Sequence, residues 1–228
     1  MSPASVPPLA EGAARILLRP IGNPLPLGFL ALAAATLLVS GLQLGWLEPS
    51  EGDGVALILI AFVFPLQLVA SIFGYLARDV VAGTGMGVLA GSWLSVGLVK
   101  LTTAPASTSD ALGLFLLIAG IAMLVPAAVS AWGKLVPAAV LTTTAVRFAV
   151  TGLHELTASS GWETAAGLVG LALGVLALYA ALAMALEDAR RETVLPLFRR
   201  GAGRASVGGD LREQVQRIER EAGVREQL

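Results

Sequence analysis

Six long apolar stretches follow one another along the chain, separated by short breaks that are polar or rich in turn formers. They run approximately from Leu27 to Leu47, Val55 to Ala77, Gly85 to Thr103, Ala111 to Ala131, Leu135 to Leu153 and Thr164 to Leu186. A helix rises about 1.5 Å per residue, so about 20 apolar residues cross a hydrocarbon core of about 30 Å. Each stretch has that length. The breaks "EPSEGDG", "RDVVAGT", "APASTSD" and "WGK" supply the Gly, Pro, Ser and Asp typical of turns. The pattern predicts an all-α polytopic membrane protein, a six-transmembrane-helix bundle over residues 23–198. A cytoplasmic N-terminal segment, 1–22, precedes it and a cytoplasmic tail, 199–228, follows. The first stretch has a proline-rich lead and further stretches of similar length behind it, so it reads as a retained span and not a removed signal peptide. In the tail Leu211, Val215, Ile218 and Ala222 recur at helical spacing among charges. They predict a short amphipathic helix that is either solvated or a contact between protomers.

Composition agrees with lipid as the solvent. Of 228 residues 56% are hydrophobic and 14% charged, against about 25% charged in soluble domains. Lys and Arg number 15 against 16 Asp and Glu, a net charge of -1, which gives no reason to expect nucleic acid as a partner. The chain has no cysteine and a single histidine, His154, so thiolate metal sites and histidine clusters are excluded. No nucleophile motif, zincin motif or phosphate-cradling loop occurs. An enzyme is not expected, nor a cofactor or prosthetic group. Facilitated diffusion, ion-coupled transport and a non-transporting membrane role remain.

Charge sets the expected orientation. Arg15 and Arg19 precede the first stretch, Arg78 follows the second, Lys134 separates the fourth and fifth, and Arg190, Arg191, Arg199 and Arg200 follow the sixth. With six spans these cations share one side, while the other side's loops carry Glu48, Glu51, Asp53, Asp110, Glu155 and Glu163. Cations near span ends stay in the cytoplasm. Both termini are therefore expected there, with the chain in the cytoplasmic (inner, plasma) membrane.

Within the spans, Gly87, Gly91 and Ser95 share four-residue spacing, as do Gly170 and Gly174. Such small residues either let helix backbones approach in lipid or expose backbone to a pore. Pro65 and Pro126 each remove a backbone donor and are expected to kink the second and fourth helices, whereas Pro137 suits an early turn. The two halves of the chain show no alignable repeat. Arg147 lies in "AVLTTTAVRFAVTGL", where an arginine costs at least a few kcal/mol unless paired, hydrated or snorkelling. With Lys100 it either concentrates anions at an external vestibule or snorkels to the interface. Gln43 and Gln67 are uncharged polar groups that either contact a permeant solute or tie helices together. His154 beside Glu155 reads as an exposed loop histidine or a proton-coupled group.

The motif "NPLPLGF" at Asn23 to Phe29 resembles the "NPAPLGL" hallmark of the acetate uptake transporter family, the YaaH-type succinate-acetate permeases. "ATLLVSGLQLGW", "PLQLVASIFGYL", "GSWL" at Gly91 to Leu94 and "RRETVLPLF" are similar to that family's first three spans and closing signature. The resemblance covers approximately Asn23 to Phe198. In physical terms Pro24 and Pro26 predict an extended lead, Gly28 a close approach and Asn23 a cap. The helix start either faces a wet cavity, where its partial positive charge favours an anion, or is an ordinary capped start at the interface.

The resemblance implies a six-helix protomer with its own pore, assembled as a homo-hexamer and passing acetate and related small monocarboxylates or dicarboxylates, with protons. It also implies that bulky side chains narrow the pore. The matched positions here are Leu32, Ala90 and Thr144, two of them small, and Gly74 stands where a glutamate is usual beside the retained Tyr75. A wider or differently selective pore is expected. The substrate pathway is thus assigned to Asn23, Pro24, Pro26, Gly28, Leu32, Gln43, Gln67, Ala90, Thr144 and Arg147. The rival readings are a channel for urea or short amides and a scaffold or sensor acting through its tail.

Overall fold

The computed structural model describes residues 21–190 and 192–200. Arg15, Arg19, Arg191 and the amphipathic stripe from Leu211 to Ala222 lie outside the described residues. The described part is helical, and six helices are long and apolar enough to cross a membrane: α1 (Leu25–Gln43), α2 (Pro49–Leu76), α3 (Val80–Thr102), α4 (Asp110–Ala131), α5 (Leu135–Thr157) and α6 (Ser160–Arg190). The six expected spans are therefore present. The second starts earlier than the apolar pattern implied, because Pro49 opens a 3-10 turn, Pro49–Glu51, that feeds the helix. The sixth continues through charged residues to Arg190.

Short caps set the helix starts. Asp79 accepts from the Ala82 amide at 3.0 Å to open α3, and Ser109 accepts from Leu112 at 3.3 Å to open α4. At Pro65 the missing N–H leaves no donor for the preceding turn, and Leu59–Val63 widens into a π-helical turn. Pro126, by contrast, sits buried inside α4, which stays one helix from Asp110 to Ala131.

The helices close into a ring. Each packs extensively on its neighbours in sequence, and α6 returns to pack along α1. Glycines allow the closest crossings. A β-carbon at Gly74 would lie 2.6 Å from the Gly83 amide nitrogen, so α2 and α3 touch backbone to backbone where the family resemblance placed a glutamate. No side chain fits there. Inside the ring lies one apolar cluster that includes Phe29, Leu32, Met86, Leu89, Trp93, Met123, Leu141 and Phe148. The outer faces are apolar as well, with Leu57, Phe62, Leu114, Ile121 and Val175 exposed, as a lipid-facing surface requires.

Polar ties join the ends. At the end where α1 begins, here the terminal end, Lys134 pairs with Asp79 at 3.3 Å, and the Arg200 amide donates to Gly133 at 2.9 Å. The segment after α6 folds back there: Tyr179 donates its hydroxyl to Pro196 at 2.8 Å, Leu197 is buried and Arg199 pairs with Glu187. At the far end Lys100 pairs with Glu155 at 2.7 Å, and Glu155 also accepts from the Ser109 amide at 2.9 Å.

Candidate functional site

Sequence and packing place the expected site residues at three depths of the ring. At the terminal end the "NPLPLGF" motif forms the first turn of α1. Asn23 accepts from the Leu25 amide at 3.1 Å, and Gly28 donates to Pro24 at 3.3 Å. The prolines do not make an extended lead. Pro24 is in the right-handed helical region, φ -79 and ψ -16, and Pro26 falls within the first turn, where a missing N–H costs no helical bond. Gly28 makes the close approach expected of it: a β-carbon there would lie 3.3 Å from Ala70 Cβ and 3.1 Å from Met86 Cγ. Helices α1, α2 and α3 converge on that glycine.

Gln67 exploits the convergence. Fully buried one turn beyond the widened turn and two residues past Pro65, it donates Nε2 to the Gly28 carbonyl at 3.4 Å. It ties α2 to α1, yet its Oε1 is buried with no partner. Leu32, one turn further along α1, belongs to the apolar cluster.

Near mid-depth lie Ala90 on α3 and Thr144 on α5, both buried. Thr144 donates its hydroxyl to Val140 on its own helix at 2.8 Å, which leaves the oxygen as an acceptor. Ala90 is overshadowed by the next turn of α3, where Trp93 meets Phe148 of α5 edge to face, ring centroids 6.0 Å apart. Helices α3 and α5 flank α4 and share no extended contact, so this aromatic pair crosses the interior. The Trp93 indole nitrogen is buried without a partner. Neither Trp93 nor Phe148 stood among the expected site residues, although the "GSWL" match already contained Trp93.

In the far half of the ring, Arg147 does not snorkel and does not stand at an open vestibule. It is 1% exposed. Its Nη1 donates to the Ala166 carbonyl of α6, and its Nη2 has no partner. A β-carbon at Gly170 would lie 2.8 Å from the Arg147 Cζ and would also strike Ser40 Oγ of α1, so α1 and α5 bring these two groups together over a bare stretch of α6. Ser40 Oγ and, at the end of α1, Gln43 Oε1 are likewise buried without partners. Lys100, expected to act beside Arg147, is instead taken by Glu155. His154 contacts the Ser159 carbonyl at 3.1 Å at the end of α5. The site residues thus do not form one cluster: Asn23, Gly28 and Gln67 gather at the terminal end, Arg147 and Gln43 belong to the far half, and Leu32, Ala90 and Thr144 fall between.

An unpaired polar atom in a dry interior costs about 1–3 kcal/mol, and native structures contain few of them. Here the free groups are donors at Trp93 and Arg147 and acceptors at Gln67 and Gln43. The arrangement suits a small solute that carries both an apolar body and hydrogen-bonding oxygens. Among the described residues no group of acidic, histidine or cysteine side chains is placed to hold a metal ion.

A solved structure described as "Structure of the bacterial acetate channel SatP" has a similar fold. The TM-score is 0.69 and the identity 23%, with 78% of this chain and 99% of that chain covered. No curated protein matches the sequence. The family model described as GPR1/FUN34/yaaH family matches residues 7–199, a range that takes in the Asn23 motif, all six helices and the returning segment. The chain belongs to the GPR1/FUN34/yaaH family.

Proposed function

We propose that the protein passes acetate and related small carboxylates across a membrane through the interior of its own helix ring. The observation that carries this reading is the Trp93 indole, a buried donor without a partner at the aromatic crossing of a ring folded like an acetate channel. An apolar constriction with one N–H matches a molecule that is half methyl and half carboxylate. Protons move with the substrate, so an inward proton gradient drives uptake. Both termini are cytoplasmic, in the cytoplasmic membrane, which agrees with the cations gathered at the terminal end.

The protomers assemble as a homo-hexamer. A groove on the outer face between α3 and α4 supports assembly: it is lined by Gly87, Gly91, Ser95, Phe115, Ile118 and Ala122, and a β-carbon at Gly91 would meet nothing within 4 Å. Passage of a neutral solute such as urea is the second reading, favoured by the free amide oxygens of Gln43 and Gln67. Purified protein in vesicles separates the two. Saturable acetate uptake above protein-free vesicles supports the carboxylate pathway, and urea uptake alone refutes it.

A further inference from the structure

We infer that Arg147 and Ser40 form a binding site for a small singly charged carboxylate where α1, α5 and α6 meet, beside the aromatic crossing. The inference deepens the carboxylate reading and rests on it for the choice of ligand.

A guanidinium is always charged and carries five donors in a planar fork. Here it is buried in an apolar bundle, and among the described residues no carboxylate pairs with it. One nitrogen donates to the Ala166 carbonyl, a neutral partner that leaves the charge uncompensated. The other terminal nitrogen is free, and so is the Ser40 hydroxyl, which forgoes the usual bond to the carbonyl one turn back on its own helix. The Ser40 hydroxyl and the Arg147 guanidinium press together on the bare backbone of Gly170, where even a β-carbon would strike the one and lie 2.8 Å from the Cζ of the other. Two donors on different helices, converging over a glycine with a fixed positive charge, match the two oxygens of one carboxylate. The charge sets the valence: a monoanion neutralises Arg147, whereas a dianion would leave a net negative charge among apolar walls. Thr36, one turn before Ser40, secures the floor by donating its hydroxyl to the Gly170 carbonyl at 3.2 Å.

The test is equilibrium binding of radiolabelled acetate to purified full-length protein in detergent, in HEPES buffer free of other carboxylates, with acetamide, succinate and chloride as competitors. The wild-type protein should bind acetate saturably, with acetamide, succinate and chloride competing poorly. Arg147→Gln should weaken binding by about ten- to hundredfold, the range for a charged hydrogen bond, while Arg147→Lys retains much of it. Ser40→Ala, which keeps the charge and the glycine floor, should weaken binding by roughly three- to tenfold. Unchanged affinity in Arg147→Gln, or chloride competing as well as acetate, would overturn the assignment. If Arg147→Gln fails to fold, Ser40→Ala decides, and full acetate affinity in that variant overturns the site. Flux in vesicles is read separately: binding without flux would sink the transport reading and leave the site standing, whereas flux with Arg147-independent binding would do the reverse.

Discussion

Trp93 and Phe148 meet edge to face across the interior of the helix ring, with ring centroids 6.0 Å apart and planes at 71°. Aromatic pairs of this geometry contribute about 0.5–1.5 kcal/mol beyond the area they bury. Trp93 and Phe148 join two helices that otherwise share no extended contact. Trp93→Phe keeps a ring at the crossing and removes only the N–H. Acetate uptake should fall by about tenfold in this variant, the worth of one hydrogen bond to a charged group, with the thermal midpoint little changed. Uptake equal to wild type would show that the indole donor does not contact substrate.

Ala90 lies one turn before Trp93 and is buried. Ala90→Tyr should narrow the path and reduce acetate uptake at equal protein amounts, and larger carboxylates should be affected first. Unchanged flux of every permeant solute in this variant would remove Ala90 from the pathway.

Gly74 and Gly91 form a matched pair of tests. At Gly74 a β-carbon would lie 2.6 Å from backbone of α3, while at Gly91 it meets nothing within 4 Å. Gly74→Ala should destabilise the protomer by about 1–3 kcal/mol through overpacking, seen as a lower thermal midpoint. Gly91→Ala should leave the protomer's helical content intact. If the proposed hexamer forms through the groove between α3 and α4, Gly91→Leu should lower the mass found by size-exclusion chromatography with light scattering; an unchanged mass would contradict assembly through Gly91.

Lys100 and Glu155 form a tie at the far end, with the Glu155 side chain 4% exposed. Lys100→Met leaves a buried carboxylate with only the Ser109 amide, and should cost about 1–3 kcal/mol. The double variant with Glu155→Gln should recover part of that loss. Acetate affinity should not follow either change, since the pair stands apart from the Arg147 group. A loss of acetate affinity as large as in Arg147→Gln would mean that Lys100 does attract the substrate.

The six helices and their order were legible from the hydropathy pattern alone, because length and apolar content decide whether a segment crosses lipid. What faced inward was not. On α4 Leu116 is buried and Leu124 exposed, yet both are leucines: interior and lipid are equally apolar, so the usual contrast between helix faces vanishes. Thus nothing in the sequence marks Trp93 and Phe148 as partners, and their pairing depends on helices not adjacent in sequence. Arg147 stood out as a charge in an apolar run, but its depth did not, since snorkelling and burial share one sequence. The widened turn before Pro65 and the helical, not extended, "NPLPLGF" turn follow from local backbone hydrogen bonding that a proline count cannot resolve. Gly28 was readable because only a residue without a side chain permits such a crossing.

Passage of small carboxylates through this ring is open to direct measurement. Its most direct test is uptake of radiolabelled acetate and urea into vesicles holding the purified protein, under an inward proton gradient and against protein-free vesicles to subtract passive acetic acid permeation. Saturable acetate uptake driven by the gradient, without urea uptake, is the predicted result. Urea uptake alone, or neither solute exceeding the protein-free vesicles, would contradict it.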